Sequence, residues 1–235
     1  MKKTLLYFLA GIGLLTMPAA CVLTDDKDIN QQCTQGCITV TGRFITEAGT
    51  RGIPDLPLEL KWSNTGMLGG TRRQIATTKT DADGNYTFRF FAKDGELNSG
   101  RFSVSFNSHY PRETYVDLIY KYFTLYNLKR DTTVQVNFLI PKAGRLTLRL
   151  KNRDQVTEPN SLVVRVLYQE GYLSEKGLYE SGGLDAARSD QATITAADNQ
   201  WNYLEIYKFK DGKHTFARDS VFVPSGQTPV VELEY

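Results

Sequence analysis

From Ile38 onward, apolar and polar residues alternate in short runs separated by Gly, Pro and Asp-Gly signals. Ile38, Val40, Gly42 and Phe44 share one face of an extended chain, and Thr39, Thr41 and Arg43 the other. That period of two predicts a half-buried strand. Gly49 to Pro57 reads as a loop, because Gly52, Pro54 and Pro57 punctuate it. Leu58, Leu60 and Trp62 alternate with Glu59 and Lys61 and predict a second strand. Ser63 to Gly70 reads as a turn-rich connection, and Gln74 to Thr80 as a third strand. At Asp83-Gly84 the glycine supplies the positive φ of a hairpin turn. Tyr86, Phe88 and Phe90 then alternate onto one face, as do Phe102, Val104 and Phe106. Thr132 to Ile140 predicts the last strand of this half, and Pro141-Lys142-Ala143-Gly144 breaks it.

The second half repeats the style. Leu146, Leu148 and Leu150 alternate, as do Leu162, Val164 and Val166. Gly171 to Asp190 reads as one long glycine-bearing loop, a length often tied to function. Ala192–Thr195 and Trp201–Phe209 are further strands. Lys210-Asp211-Gly212-Lys213 is a second hairpin turn, His214–Val223 its return strand, and Val230–Tyr235 a closing strand. No amphipathic helix is predicted in this body. Short strands at regular spacing with turn signals argue for β-sandwiches.

The beginning of the chain follows other rules. Lys2 and Lys3 precede an apolar run from Leu5 to Leu15, and Pro18, Ala19 and Ala20 lead to Cys21. This is the layout of a secretory signal peptide over residues 1–20. The run is too short for the roughly 20 apolar residues of a transmembrane helix. A cysteine abutting small residues resembles the lipobox of bacterial lipoproteins, with Pro18 departing from the aliphatic residue usual there. The resemblance implies a diacylated Cys21 as the first mature residue; the alternative is an ordinary secretory signal. Residues 22–36 read as a flexible tether. Asp25 and Asp26 are similar to the export signal that sends some Gram-negative lipoproteins to the cell surface. Outer-membrane, lipid-anchored, surface-exposed localisation is therefore expected.

Gly42-Arg43-Phe44, Gly52-Ile53-Pro54 with Leu58–Trp62, and the run Thr78 to Phe88 together resemble the carboxypeptidase regulatory-like group. The resemblance spans about Cys37 to Pro141 and is best between Thr78 and Phe90. It implies a transthyretin-like, Ig-like β-sandwich and an accessory role rather than an activity. The expected architecture is all-β, with two tandem Ig-like/transthyretin-like sandwiches after the signal peptide and a tether at 21–36. The first occupies 37–141 and the second 142–235.

Charge and chemistry narrow the functional classes. The chain has 28 basic and 26 acidic residues, and two of the lysines lie in the signal segment. No basic stripe stands out, so nucleic acid is not an expected partner. Cys33 and Cys37 can close a small disulfide loop, and no third ligand nearby suggests a metal. Asp81, Asp83 and Asn85 lack the glycine and glutamate spacing of a calcium loop. His109 and His214 sit in a loop and at a strand start, not in a triad context. Neither a catalytic residue nor a cofactor is expected. The stretch Asn107 to Arg130 is rich in aromatics, and Tyr115, Tyr120, Tyr122 and Tyr126 are candidate ligand contacts, since a Tyr face is apolar and its hydroxyl hydrogen-bonds. The alternative is strand packing. The sequence thus points to a non-enzymatic, membrane-anchored binding or accessory module whose partner is an outer-membrane protein or a glycan. The alternative is a fimbrial or adhesin-type subunit.

Overall fold

The computed structural model describes residues 22–25 by backbone, and residues 29–66, 69–106, 111, 113–118, 121–172 and 177–235. The signal peptide, Cys21, Asp26, His109, Tyr110 and Tyr120 lie outside the described residues. Eighteen strands, one short α-helix and two single 3-10 turns make the chain all-β among those residues. The first half holds β1 (Val22–Asp25), β2 (Ile38–Thr46), β3 (Arg51–Gly52), β4 (Pro57–Gly66), β5 (Gly69–Lys79), β6 (Asn85–Phe90), α1 (Asp94–Asn98), β7 (Arg101–Ser105), β8 (Tyr122–Leu125), β9 (Thr133–Gln135) and β10 (Phe138–Leu139). The second holds β11 (Ala143–Leu150), β12 (Ser161–Gln169), β13 (Gly171–Tyr172), β14 (Leu178–Asp185), β15 (Gln191–Ala197), β16 (Gln200–Lys210), β17 (Lys213–Val223) and β18 (Val230–Leu233).

One sheet has the order β1-β5-β4-β7-β8. The sheet facing it runs β13-β10-β2-β3, with β6 and β9 also on β2. Between them lies a core built on Phe44, whose ring is 5.4 Å from Tyr86, 5.1 Å from Phe106 and 5.6 Å from Phe138. The alternation of Ile38, Val40 and Phe44 is realised, and all three are fully buried. The second sandwich pairs the sheet β15-β11-β18 with β14-β12-β16-β17 around Leu146, Leu148, Val164 and Val166.

Several expectations change in the folded chain. The stretch read as a turn over Ser63–Gly70 is the paired end of the β4–β5 hairpin, in register down to Gly66↔Gly69. Thr132–Ile140 is two short strands, because the Val136 carbonyl accepts the Tyr86 hydroxyl and Asn137 Oδ1 accepts the Arg43 amide, interrupting the ladder. The long loop 171–190 contains β14, paired to β12 with one bulge at Ser181. Its glycines mark close backbone approach: a Cβ on Gly183 would lie 2.0 Å from the Val164 carbonyl oxygen. From sequence glycine signals a loop, whereas in a strand it permits contact with a neighbouring backbone. The expected tether carries β1, parallel to β5, and Asn30 is tied to Thr77 by its side chain.

The Asp83-Gly84 turn and the closeness of Cys33 to Cys37 were legible. Gly84 has φ +78, and Asp81 Oδ1 accepts the amides of Asp83 and Asn85 at 2.9 and 2.8 Å. These bonds, with the Asn85 side chain first, hold the Asp81 carboxyl below its usual range. Cys33 and Cys37 are disulfide-bonded across a Cα separation of 5.8 Å.

The first sandwich also buries an ion pair. Arg73 donates to both carboxylate oxygens of Glu96 at 2.6 and 2.7 Å, and both side chains are 6% exposed. Glu96 additionally accepts the Lys93 amide at the start of α1. Removing one partner strands the other in low dielectric. Glu96→Ala is therefore expected to cost about 3–5 kcal/mol in urea unfolding, while the double change Arg73→Met with Glu96→Leu recovers most of that loss. Equal losses in both variants would show that packing, not the charge, carries the cost.

Candidate functional site

A cleft of about 850 Å3 opens where the two halves meet. One wall is β8 and the residue after it: Phe123 and Leu125 are buried in the core, while Tyr122 and, just past the strand, Tyr126 stay exposed at 40% and 75%. The other wall is the β13–β14 segment, which brings Tyr172, Leu178 and Tyr179 to the same space. The walls are locked together at Tyr172. Its ring sits 5.9 Å from Phe123 and 5.8 Å from Phe138, and its hydroxyl donates to the Thr124 carbonyl. β13 also pairs with β10, so a strand beyond the expected boundary at Pro141–Gly144 extends the first sandwich's sheet.

Glu170 lies in the cleft between β12 and β13. Burial pushes its carboxyl up to about 7. Among the described residues no donor lies within hydrogen-bond reach of its buried Oε2. Tyr168, one turn of the pleat away, is fully buried and 5.5 Å from Tyr179, and burial raises its hydroxyl as well. Aromatic faces beside a carboxyl poised near neutrality can seat an apolar ring face while Glu170 hydrogen-bonds a hydroxyl or an amine.

The tyrosines singled out from sequence thus take different places. Tyr122 and Tyr126 line the cleft. Tyr115 is 9% exposed, bridges Lys142 and packs in the first core. Tyr120 lies outside the described residues. Glu170 was not legible, because nothing in a lone Glu before Gly-Tyr reveals that a second sheet will cover it.

A second surface was also missed. On β16, Asn202 is fully buried and Gln200 nearly so, while Trp201, Tyr203 and Tyr207 are exposed at 55%, 39% and 38%. Cross-strand partners on β17 extend this aromatic face: Phe222 lies 5.6 Å from Trp201, and Phe216 5.0 Å from Tyr207. Phe209 stacks on His214 at 4.5 Å. Arg218 donates to Glu205 at 2.8 Å in the middle of the ladder, and Tyr207 donates to the same carboxylate. Those bonds, Tyr207 first, hold the Glu205 carboxyl low. The inversion is explained at Asn202, whose amide accepts the Ala197 N–H and donates to the Ala197 and Gln200 carbonyls, closing the β15–β16 turn. With Asn202 held inward, the period of two sends the aromatics out.

Among the described residues no group of three His, Cys, Asp or Glu side chains is arranged to hold a metal, and no helix is long and apolar enough to cross a membrane.

No family model matches the chain, and no curated protein does. Solved structures with some likeness include a streptococcal ancillary pilin at 9% identity and TM-score 0.33, covering 85% of this chain and 62% of that one. The shaft pilin SpaA of Lactobacillus rhamnosus GG matches at 11% and 0.29, over 86% of this chain and 98% of its own. The major pilin SpaD of Corynebacterium diphtheriae matches at 9% and 0.30, over 80% and 65%. At these scores the matches assign neither ligand nor assembly, and the functional reading rests on the cleft and the exposed faces.

The carboxyl of Glu170 gives a test of the cleft's burial. The folded state keeps its proton up to about pH 7, whereas the unfolded chain releases it in the ordinary carboxylate range. Stability tied to this group therefore falls as pH rises between those values. Glu170→Gln is expected to raise Tm by about 3 °C at pH 8, a figure discounted for partial exposure, and to leave it unchanged near pH 4. An equal shift at both pH values in calorimetry would contradict the burial.

Proposed function

We propose that this chain is a non-enzymatic, lipid-anchored envelope protein that works by binding, with a carboxypeptidase regulatory-like first sandwich and a second sandwich beginning near residue 142. Cys21 carries the anchor, and the protein stands at the outer membrane facing the cell exterior. The observation that carries the binding reading is the cleft, where Tyr122 and Tyr126 of one half meet Tyr172 and Tyr179 of the other beside Glu170. Its chemistry suits a glycan or a protein loop presenting an aromatic or aliphatic group with a hydroxyl or amine. The role is that of an accessory module in an outer-membrane uptake or assembly complex.

A second reading is supported by a different feature. β17 is an 11-residue edge strand, exposed over most of its length, with an aromatic outward face. Long edge strands are templates for pairing with another chain. A fimbrial or adhesin-type subunit would use this hairpin, and a ladder of self-oligomers after crosslinking would favour it.

The test of the first reading is isolation of the full-length protein from membranes in mild detergent, with mass spectrometry of what accompanies it. A stoichiometric partner is expected. The double change Tyr122→Ala, Tyr126→Ala should weaken its retention about tenfold or more, as aromatic anchors do, with Tm nearly unchanged. Recovery of the protein alone would exclude a stable complex, and undiminished retention by the variant would exclude the cleft.

A further inference from the structure

The sheet register gives the first sandwich a definite polarity. β1 begins at Val22, opposite Gly70. The same end of that sheet carries the β4–β5 turn at Gly66↔Gly69, Arg101 opposite Ser63, and the end of β8, where Leu125 lies opposite Phe102. Packing between the sheets extends this end to the start of β2: Ile38 pairs with Phe90, whose ring is 5.8 Å from Phe102. The chain leaves the first sandwich at the other end. There Phe138 pairs with Phe44, the Ile140 amide donates to Ile45, and the Phe44 ring meets Phe106.

Cys21 is one residue from Val22, a reach of about 3.5 Å. An acyl group on it therefore enters the bilayer beside this end and no other. The end is built for such a neighbour. Arg72, Arg101 and Lys129 are exposed there, and so is Tyr126, at 75%. Arg130 stacks on the exposed Phe91 ring at 4.5 Å and pairs with Asp94. Among the described side chains at this end the exposed cations Arg72, Lys93, Arg101 and Lys129 outnumber the exposed acids Asp94 and Asp131, Glu96 is buried against Arg73, and β1 adds one acid, Asp25, opposite Arg73. Basic side chains with amphipathic rings are what a headgroup layer favours.

We infer that this end of the first sandwich is a membrane-contacting surface that takes anionic lipid headgroups, with Arg72, Arg101 and Lys129 at phosphate level and Tyr126 at the interface. The inference rests on the lipid-anchor reading of Cys21. Tyr126, which lines the cleft, follows the end of β8 on this side. β1 then has a purpose: pairing with β5 fixes the anchor close to the sheet end, so the body stands on the membrane rather than swinging from a loose tether. The second sandwich then starts at the end away from the bilayer.

The test uses full-length protein purified from membranes and placed in vesicles of phosphatidylcholine with a photoactivatable phosphatidylglycerol. Lipid adducts are expected on peptides covering 70–72, 99–101 and 126–130, and none on 201–222. Arg72→Glu with Arg101→Glu should lower the adduct yield about fivefold or more. Intact mass of the same sample reads acylation of Cys21. An unmodified cysteine removes both the anchor and this inference. An acylated protein whose adducts fall elsewhere, or whose yield ignores the charge reversal, overturns this inference and leaves the anchor standing.

Discussion

The seating of Tyr172 between Phe123 and Phe138 is the contact on which the remaining architecture depends. A ring from the second half fills a place in the first core, and its hydroxyl satisfies the Thr124 carbonyl, so the insertion combines apolar burial with a polar tether. The same residue lies in the β13–β10 pairing, opposite Phe138. The same contact sets the spacing of the cleft walls and places Glu170 under cover. Tyr168 and Ala197 of the second half join the same first core, and Lys142 pairs with Glu47, so Tyr172 is the cleft-side part of a wider junction.

The charged groups follow a common rule. Where a carboxylate is buried with its cation, as Glu96 is with Arg73, the pair is bidentate and reinforced by a backbone amide. Where it is buried without one, as at Glu170, the carboxyl retains its proton to near neutrality. On the outer face of the β16–β17 hairpin the exposed Arg218 covers a partly buried Glu205, and the two interrupt an aromatic ladder that would otherwise be a continuous apolar edge. The first arrangement is structural, the second suits ligand chemistry, and the third suits contact with another surface while limiting aggregation.

Much of the first sandwich was legible, since Ile38–Phe44, Leu58–Trp62 and Tyr86–Phe90 each bury one side of a sheet, so their period of two is written directly in side-chain polarity. The Asp83-Gly84 turn was legible for a local reason: its hydrogen bonds come from Asp81 itself. The 171–190 segment was not, because glycine signals a loop from sequence but here serves backbone approach between β12 and β14. The candidate tyrosines were partly legible. Composition marks the stretch as aromatic, yet whether a ring is core, as Tyr115, or cleft, as Tyr122, depends on which strand covers it.

Local pattern by itself determined the all-β class, the strands of each half, the close spacing of Cys33 and Cys37, and the apolar run ahead of Cys21. These features depend on neighbours in the chain, so sequence carries them. Tertiary structure alone decided which face of β16 is buried, since Asn202 is held inward by bonds to the β15–β16 turn while the more apolar face stays in solvent. It also decided the cleft, the state of Glu170 and the placement of Val22 opposite Gly70, at the sheet end that carries Arg72 and Arg101. The cleft, Glu170 and the sheet end depend on residues far apart in sequence being covered, or left uncovered, by one another, while at β16 alternation along the strand says that two faces differ without saying which will be turned inward.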